Sequence, residues 1–238
     1  MIYFLIAVGI WLVLVVSISC FKIYSPIWLS MRGDYESAID RLDRLLSSKR
    51  LSKRIRGTCL YNKALCQHRT GMFKESNVTL DQVSADELDS NLEAAFHGLQ
   101  GTNLLLQEED LKSAKELLEQ AYSVTRLSSY VPTLGYCELL LGNNVRADEL
   151  IAGYLDKSRG RKNTSFGLLC FLVTDKVFSQ ASCPFFLGLY FLKKADLASA
   201  KSHFLVASNL ERLPKLISEM PENIFRKFWN LLGDFART

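Results

Sequence analysis

Tyr61 to Val83 reads YNKALCQHRTGMFKESNVTLDQV. An apolar stretch runs through Cys66, Gly71 follows, and a second patterned stretch opens at Phe73. In that second stretch Phe73, Ser76, Leu80 and Val83 are spaced three and four apart, so they share one helical face. Gly71 stands where a helix commonly ends in a left-handed residue. The segment therefore predicts two helices joined by a tight turn. Small Ala64 on the first helix and small Ser76 on the second would let the two backbones approach.

The pattern recurs outward in both directions. Ala38, Ser76, Ala114, Ala147 and Ala200 are each followed four residues on by Leu42, Leu80, Leu118, Ile151 and Phe204. Seven residues on come Leu45, Val83, Ala121, Tyr154 and Ala207, and three residues before come Tyr35, Phe73, Leu111, Asn144 and Leu197. Twelve before lie Pro26, Ala64, Thr102, Gly135 and Gly188. Gly33, Gly71 and Gly142 mark turns, with Glu109 and Ala195 at the same place in the other units. Ser90 and Glu93 have the spacing of a capping box at a helix start. The wide interval between Ala147 and Ala200 leaves room for an extra helix over 163–180. Sequence periods of this size indicate stacked units, each covering the apolar face of its neighbour.

These units resemble the tetratricopeptide repeat, most closely over Tyr61–Val83, Thr133–Leu155 and Phe186–Leu210. The resemblance covers about residues 30 to 210. It implies an all-α solenoid of four to five helical hairpins over 23–210, with a concave groove lined by the first helix of each pair and holding a partner peptide or helix. The spacings depart from the family period of about 34 residues, and Lys22 to Leu29 contains Pro26 where the first unit needs a full first helix. With the first helices placed in phase, the side turned away from the second helices carries Tyr61, Leu65, Phe96, Leu99, Asn103, Tyr136, Leu139, Phe185 and Leu189. Charges are sparse on this stripe, so the expected ligand is an apolar or amphipathic helical segment of a partner protein. Pro221 and Glu222 open a terminal helix within 211–238, whose apolar face from Ile224 to Phe235 would cap the stack.

Residues 1–22 read differently. From Ile2 to Phe21 the chain runs IYFLIAVGIWLVLVVSISCF with no charged side chain. At about 1.5 Å per residue, a helix of this length crosses a hydrocarbon core about 30 Å thick. The run lacks the basic start of a signal peptide and is longer than its apolar region, so it predicts an uncleaved transmembrane helix. Lys22 and Arg32 follow the span and nothing basic precedes it, which places the remainder on the cytoplasmic side. A lipoprotein signal ending at Cys20 is the competing reading, although Ser17 stands where such signals usually carry Leu.

The chemistry-bearing residues are few. Six cysteines and three histidines show no metal-ligand spacing. No nucleophile elbow, phosphate loop, dinucleotide fingerprint or zinc-protease pair is present. Neither a catalytic role, a cofactor nor a small-molecule substrate is expected. A net charge of +4 is too mild to suggest nucleic acid. Lys49, Arg50, Lys53, Arg54 and Arg56 form the densest basic cluster. It fits contact with anionic lipid, or simply the C-terminal end of the preceding helix, where the dipole favours cations. Together these features describe a membrane-anchored, non-enzymatic adaptor or assembly factor. The alternatives are a permanent structural subunit of a membrane complex and an envelope lipoprotein with the same repeats.

Overall fold

The computed structural model describes residues 25–48, 51–84, 88, 90–125, 129–160 and 183–208. The predicted anchor, the extra helix over 163–180 and the terminal helix lie outside them. Ten helices run through the described residues, with no strand among them: α1 (25–31), α2 (Tyr35–Leu46), α3 (Lys53–Arg69), α4 (Phe73–Leu80), α5 (Ser90–Gln107), α6 (Leu111–Thr125), α7 (Tyr130–Leu140), α8 (Asn144–Gly160), α9 (183–193) and α10 (Leu197–Ser208). They form hairpin-like pairs in chain order. Each helix from α2 to α8 packs on its neighbours in the chain, with α3 also touching α5 and α5 touching α7. No helix among the described residues is long and apolar enough to cross a membrane.

All five pairs turn in the same way. The first helix ends in a left-handed residue: Gly33 (φ 84°), Gly71 (83°), Glu108 (53°), Gly142 (83°) and Ala195 (61°). In each case that residue's N–H donates three residues back and the next N–H donates five back, as in Asp34 N to Leu29 O and Asp196 N to Phe191 O, both 3.0 Å. This double bond pattern satisfies the last carbonyls of a helix and reverses the chain. In three of the pairs the second helix then starts on a capping Asp. Asp34, Asp110 and Asp196 accept the N–H of Ser37, Ser113 and Ser199 at 3.3, 3.2 and 3.1 Å.

The third turn is one residue longer than the others. Its left-handed residue is Glu108, one position before Glu109, where the sequence pattern places the turn. Asp110, at φ 34°, takes up the extra residue.

The small residues lie at the contacts. Ala38, Ser76, Ala114, Ala147 and Ala200 are all fully buried, and the residues four further on are at most 2% exposed. Opposite them the first helices come very close. A Cβ placed on Gly135 would lie 2.7 Å from Ile151 Cδ1, and one on Gly188 would lie 2.6 Å from the Phe204 ring. In the third pair the equivalent residue is Gly101, where a Cβ would meet Ala114 O at 2.9 Å. The longer turn moves this contact one position back from Thr102. Ser76 Oγ instead donates to Ala64 O at 2.8 Å, so here a hydroxyl serves as the contact. The pattern fails at the start of the last helices, where Asn144 and Leu197 are exposed.

Candidate interaction surface

First and second helices differ in how they are buried. The second helices keep one face in solvent: α6, for example, buries Ala114, Leu118 and Ala121 only. The first helices are enclosed on most sides. α7 buries Tyr130 and every residue from Pro132 to Leu139. α3 buries Cys59 to Asn62 and Ala64 to Arg69. A helix with a partner on one side and adjoining pairs on two others has little perimeter left.

This placement corrects the groove expected on the first helices. Of its nine residues, Tyr61, Leu65, Leu99, Asn103, Tyr136, Leu139, Phe185 and Leu189 are buried. Phe96 alone keeps partial exposure. Tyr61, Leu65 and Leu99 pack together with Ala64 and Leu80. Tyr136, Leu139, Phe185 and Leu189 belong to the main core, where the Phe185 ring lies 6.1 Å from Phe204. Among the described residues, the stripe is contact surface between helices and offers no open groove. Beside Phe96, the His97 ring sits edge-on at 5.4 Å, and its buried Nδ1 has no hydrogen-bond partner.

Asn103 is the clearest case of a contact residue. Its Nδ2 donates to Ser76 Oγ and to Asn77 Oδ1, both at 2.9 Å. Its Oδ1 therefore accepts, and His68 Nδ1 supplies the proton at 2.6 Å. This closed network joins α3, α4 and α5. Burial, reinforced by the Arg69 charge, lowers the His68 pKa to about 3. The imidazole is neutral, and the proton that fixes its tautomer is held by Asn103.

In the second, third and fourth pairs the residue just after the small contact residue reaches the next pair. In the second pair Asn77 meets Asn103. In the third, Lys115 meets Glu138 at 2.9 Å. In the fourth, Asp148 bonds Tyr190 and lies 2.8 Å from Lys194. These polar latches share a position and differ in chemistry. Glu138 is almost fully buried. Burial alone would raise its carboxyl pKa, but hydrogen bonds from Lys115 and Asn143 outweigh that and hold it below the ordinary value.

The described part of the basic cluster lies at a helix N-terminus. Lys53, Arg54 and Arg56 occupy the first turn of α3, all exposed; Lys49 and Arg50 lie outside the described residues. The described cysteines, Cys59, Cys66, Cys137 and Cys183, are buried free thiols. Burial pushes Cys66 and Cys137 up to about 12, which keeps them protonated and unreactive. Among the described residues no three His, Cys, Asp or Glu side chains are grouped to hold a metal ion. Thr79 is buried and donates to Gln67 Oε1 at 2.7 Å.

The class the fold defines is an all-α stack of hairpins with repeat-like contacts. No protein-family model matches the chain, and neither a curated protein nor a solved structure does.

Proposed function

We propose that this chain is a membrane-anchored helical-repeat adaptor of tetratricopeptide type, which holds a partner protein close to a membrane. The observation that carries the reading is the fivefold identity of the turn, together with the full burial of five small residues in register. Units that stack in this way build an extended surface without needing a reaction centre. The apolar run from Ile2 to Phe21 supports the anchor. Anchoring raises the effective concentration of the domain around other membrane-held proteins.

The partner chemistry follows from what remains open. Phe96 and the half-buried Leu92 and Ala95 form an apolar strip on α5, suited to an apolar or amphipathic helix. A photo-crosslinker at position 96 of the full chain, in membranes of its own cell, tests the reading. One discrete partner should be captured at 96, and none from the buried position 103. If alkaline carbonate releases the chain, the anchor is wrong. If positions 96 and 103 give the same diffuse products, the adaptor surface is wrong.

A further inference from the structure

We infer that the basic end of the first hairpins is a docking surface for anionic lipid headgroups, which holds the stack down on the bilayer that residues 2–21 enter. The inference rests on the anchor reading above. No Asp or Glu stands between Asp43 and Glu75, a stretch with nine Lys and Arg. Four exposed members of this stretch gather at one edge, while Lys74 lies at the start of α4 beside Glu109. The turn at Gly33 reverses the chain, so α2 ends near the start of α1, and α3 starts near the end of α2. Arg44, in the last turn of α2, and Lys53, Arg54 and Arg56 of α3 are exposed there. The chain enters α1 from residues 22–24, which reach about 11 Å at most when fully extended. That is close to a Debye length of about 8–10 Å, within which an anionic surface attracts cations.

Helix stability does not account for these charges. The N-terminus of a helix favours anions; α2, α4 and α5 carry Glu36, Glu75 and Glu93 in their first turns, and α6, α7, α8 and α10 carry no acid there. α3 carries three cations in its first turn and no acid. A negative surface opposite this turn would favour the same charges. A second observation on the same hairpin points the same way. Trp28 is 55% exposed and Met31 37%, with the Arg32 guanidinium 4.3 Å over the indole. An exposed indole beside a cation suits the headgroup layer, where Trp is enriched.

The test uses the full chain in vesicles, helices outward, with a membrane-impermeant amine reagent and Lys112 as internal reference. On vesicles with about one third phosphatidylserine, Lys53 should react about tenfold more slowly than on neutral phosphatidylcholine. About 0.5 M salt should abolish the difference. Arg54→Gln with Arg56→Gln should weaken the protection, while Arg54→Lys with Arg56→Lys keeps it. Equal labelling on both vesicles, with the chain still resistant to carbonate, overturns the inference and leaves the anchor standing. Release by carbonate overturns the anchor itself. Protection that needs an added membrane-protein fraction and not the anionic lipid assigns the patch to a protein, and also overturns the inference.

Discussion

Ala195 adopts φ 61° at a position where three of its four counterparts are Gly. An L-residue pays about 1–2 kcal/mol for that conformation. Ala195→Gly should therefore stabilise the chain by about 0.5–1 kcal/mol, after allowance for the freer unfolded chain. A lower denaturation midpoint for the variant would show that the turn is unstrained. Two other glycines make a contrasting pair. Gly153 lies within α8 with nothing within 4 Å of its missing Cβ, so Gly153→Ala should gain about 0.5–1 kcal/mol. Gly188→Ala forces a methyl against Phe204 and should lose about 1–3 kcal/mol. Equal shifts in denaturant midpoint for the two would contradict the close approach of α9 and α10. At this scale the sequence was highly legible. The small contact residues, their apolar followers and the Ala195 turn could all be read from spacing. Gly101 could not, because Glu108 takes the turn one residue early and nothing in the composition of Glu108, Glu109 and Asp110 announces which of them will be left-handed.

Between elements, the buried network of His68, Asn103, Ser76 and Asn77 joins α3, α4 and α5. Asn103→Leu leaves the His68 N–H without its acceptor and should cost about 1–3 kcal/mol. The network also sets a pH dependence. His68 has a pKa lowered to about 3 in the fold and an ordinary value near 6.5 when unfolded. As pH falls below 6.5 the unfolded chain gains a proton and the folded chain does not. Stability is thus lost between pH 6.5 and 3, with a slope of up to about 1.4 kcal/mol per pH unit from this group. His68→Gln should flatten that slope, and an unchanged slope would place the titration elsewhere. The enclosure of the first helices was hidden for a related reason. Periodicity reveals a helix with one wet face, and α7, surrounded by packed neighbours, has little contrast to read. Phase reading therefore mistook contact residues such as Asn103 and Phe185 for an open stripe.

Across the whole molecule, the second, third and fourth pairs each hold the next by a latch, so damage should stay local. Lys115→Met leaves the buried Glu138 carboxylate with Asn143 alone, at an expected cost of about 1–3 kcal/mol. Hydrogen exchange should quicken in α6 and α7 and stay unchanged in α2 and α3. Uniform acceleration would mean that the stack unfolds as one block. The Glu138 contribution is present above its unfolded pKa, near 4.5, and is lost as pH falls through its lower folded value. The stacked order of the hairpins was visible in the repeat period. The latches were not, since Asn77, Lys115 and Asp148 look like ordinary surface residues until the next pair is in place.

The two edges of the stack differ in their freedom to change. One edge is made of five tight turns, each fixed by the same two backbone bonds. The other carries the ends of the second helices, and the number of residues from there to the next pair differs from pair to pair. Inserted or deleted residues can therefore accumulate between pairs without disturbing the register inside any of them. A foreign loop placed at Gly142 would break the fold, whereas the same loop between the exposed Ser47 and Ser48 should be carried. Descendants of this chain are free to diverge in length along one border only.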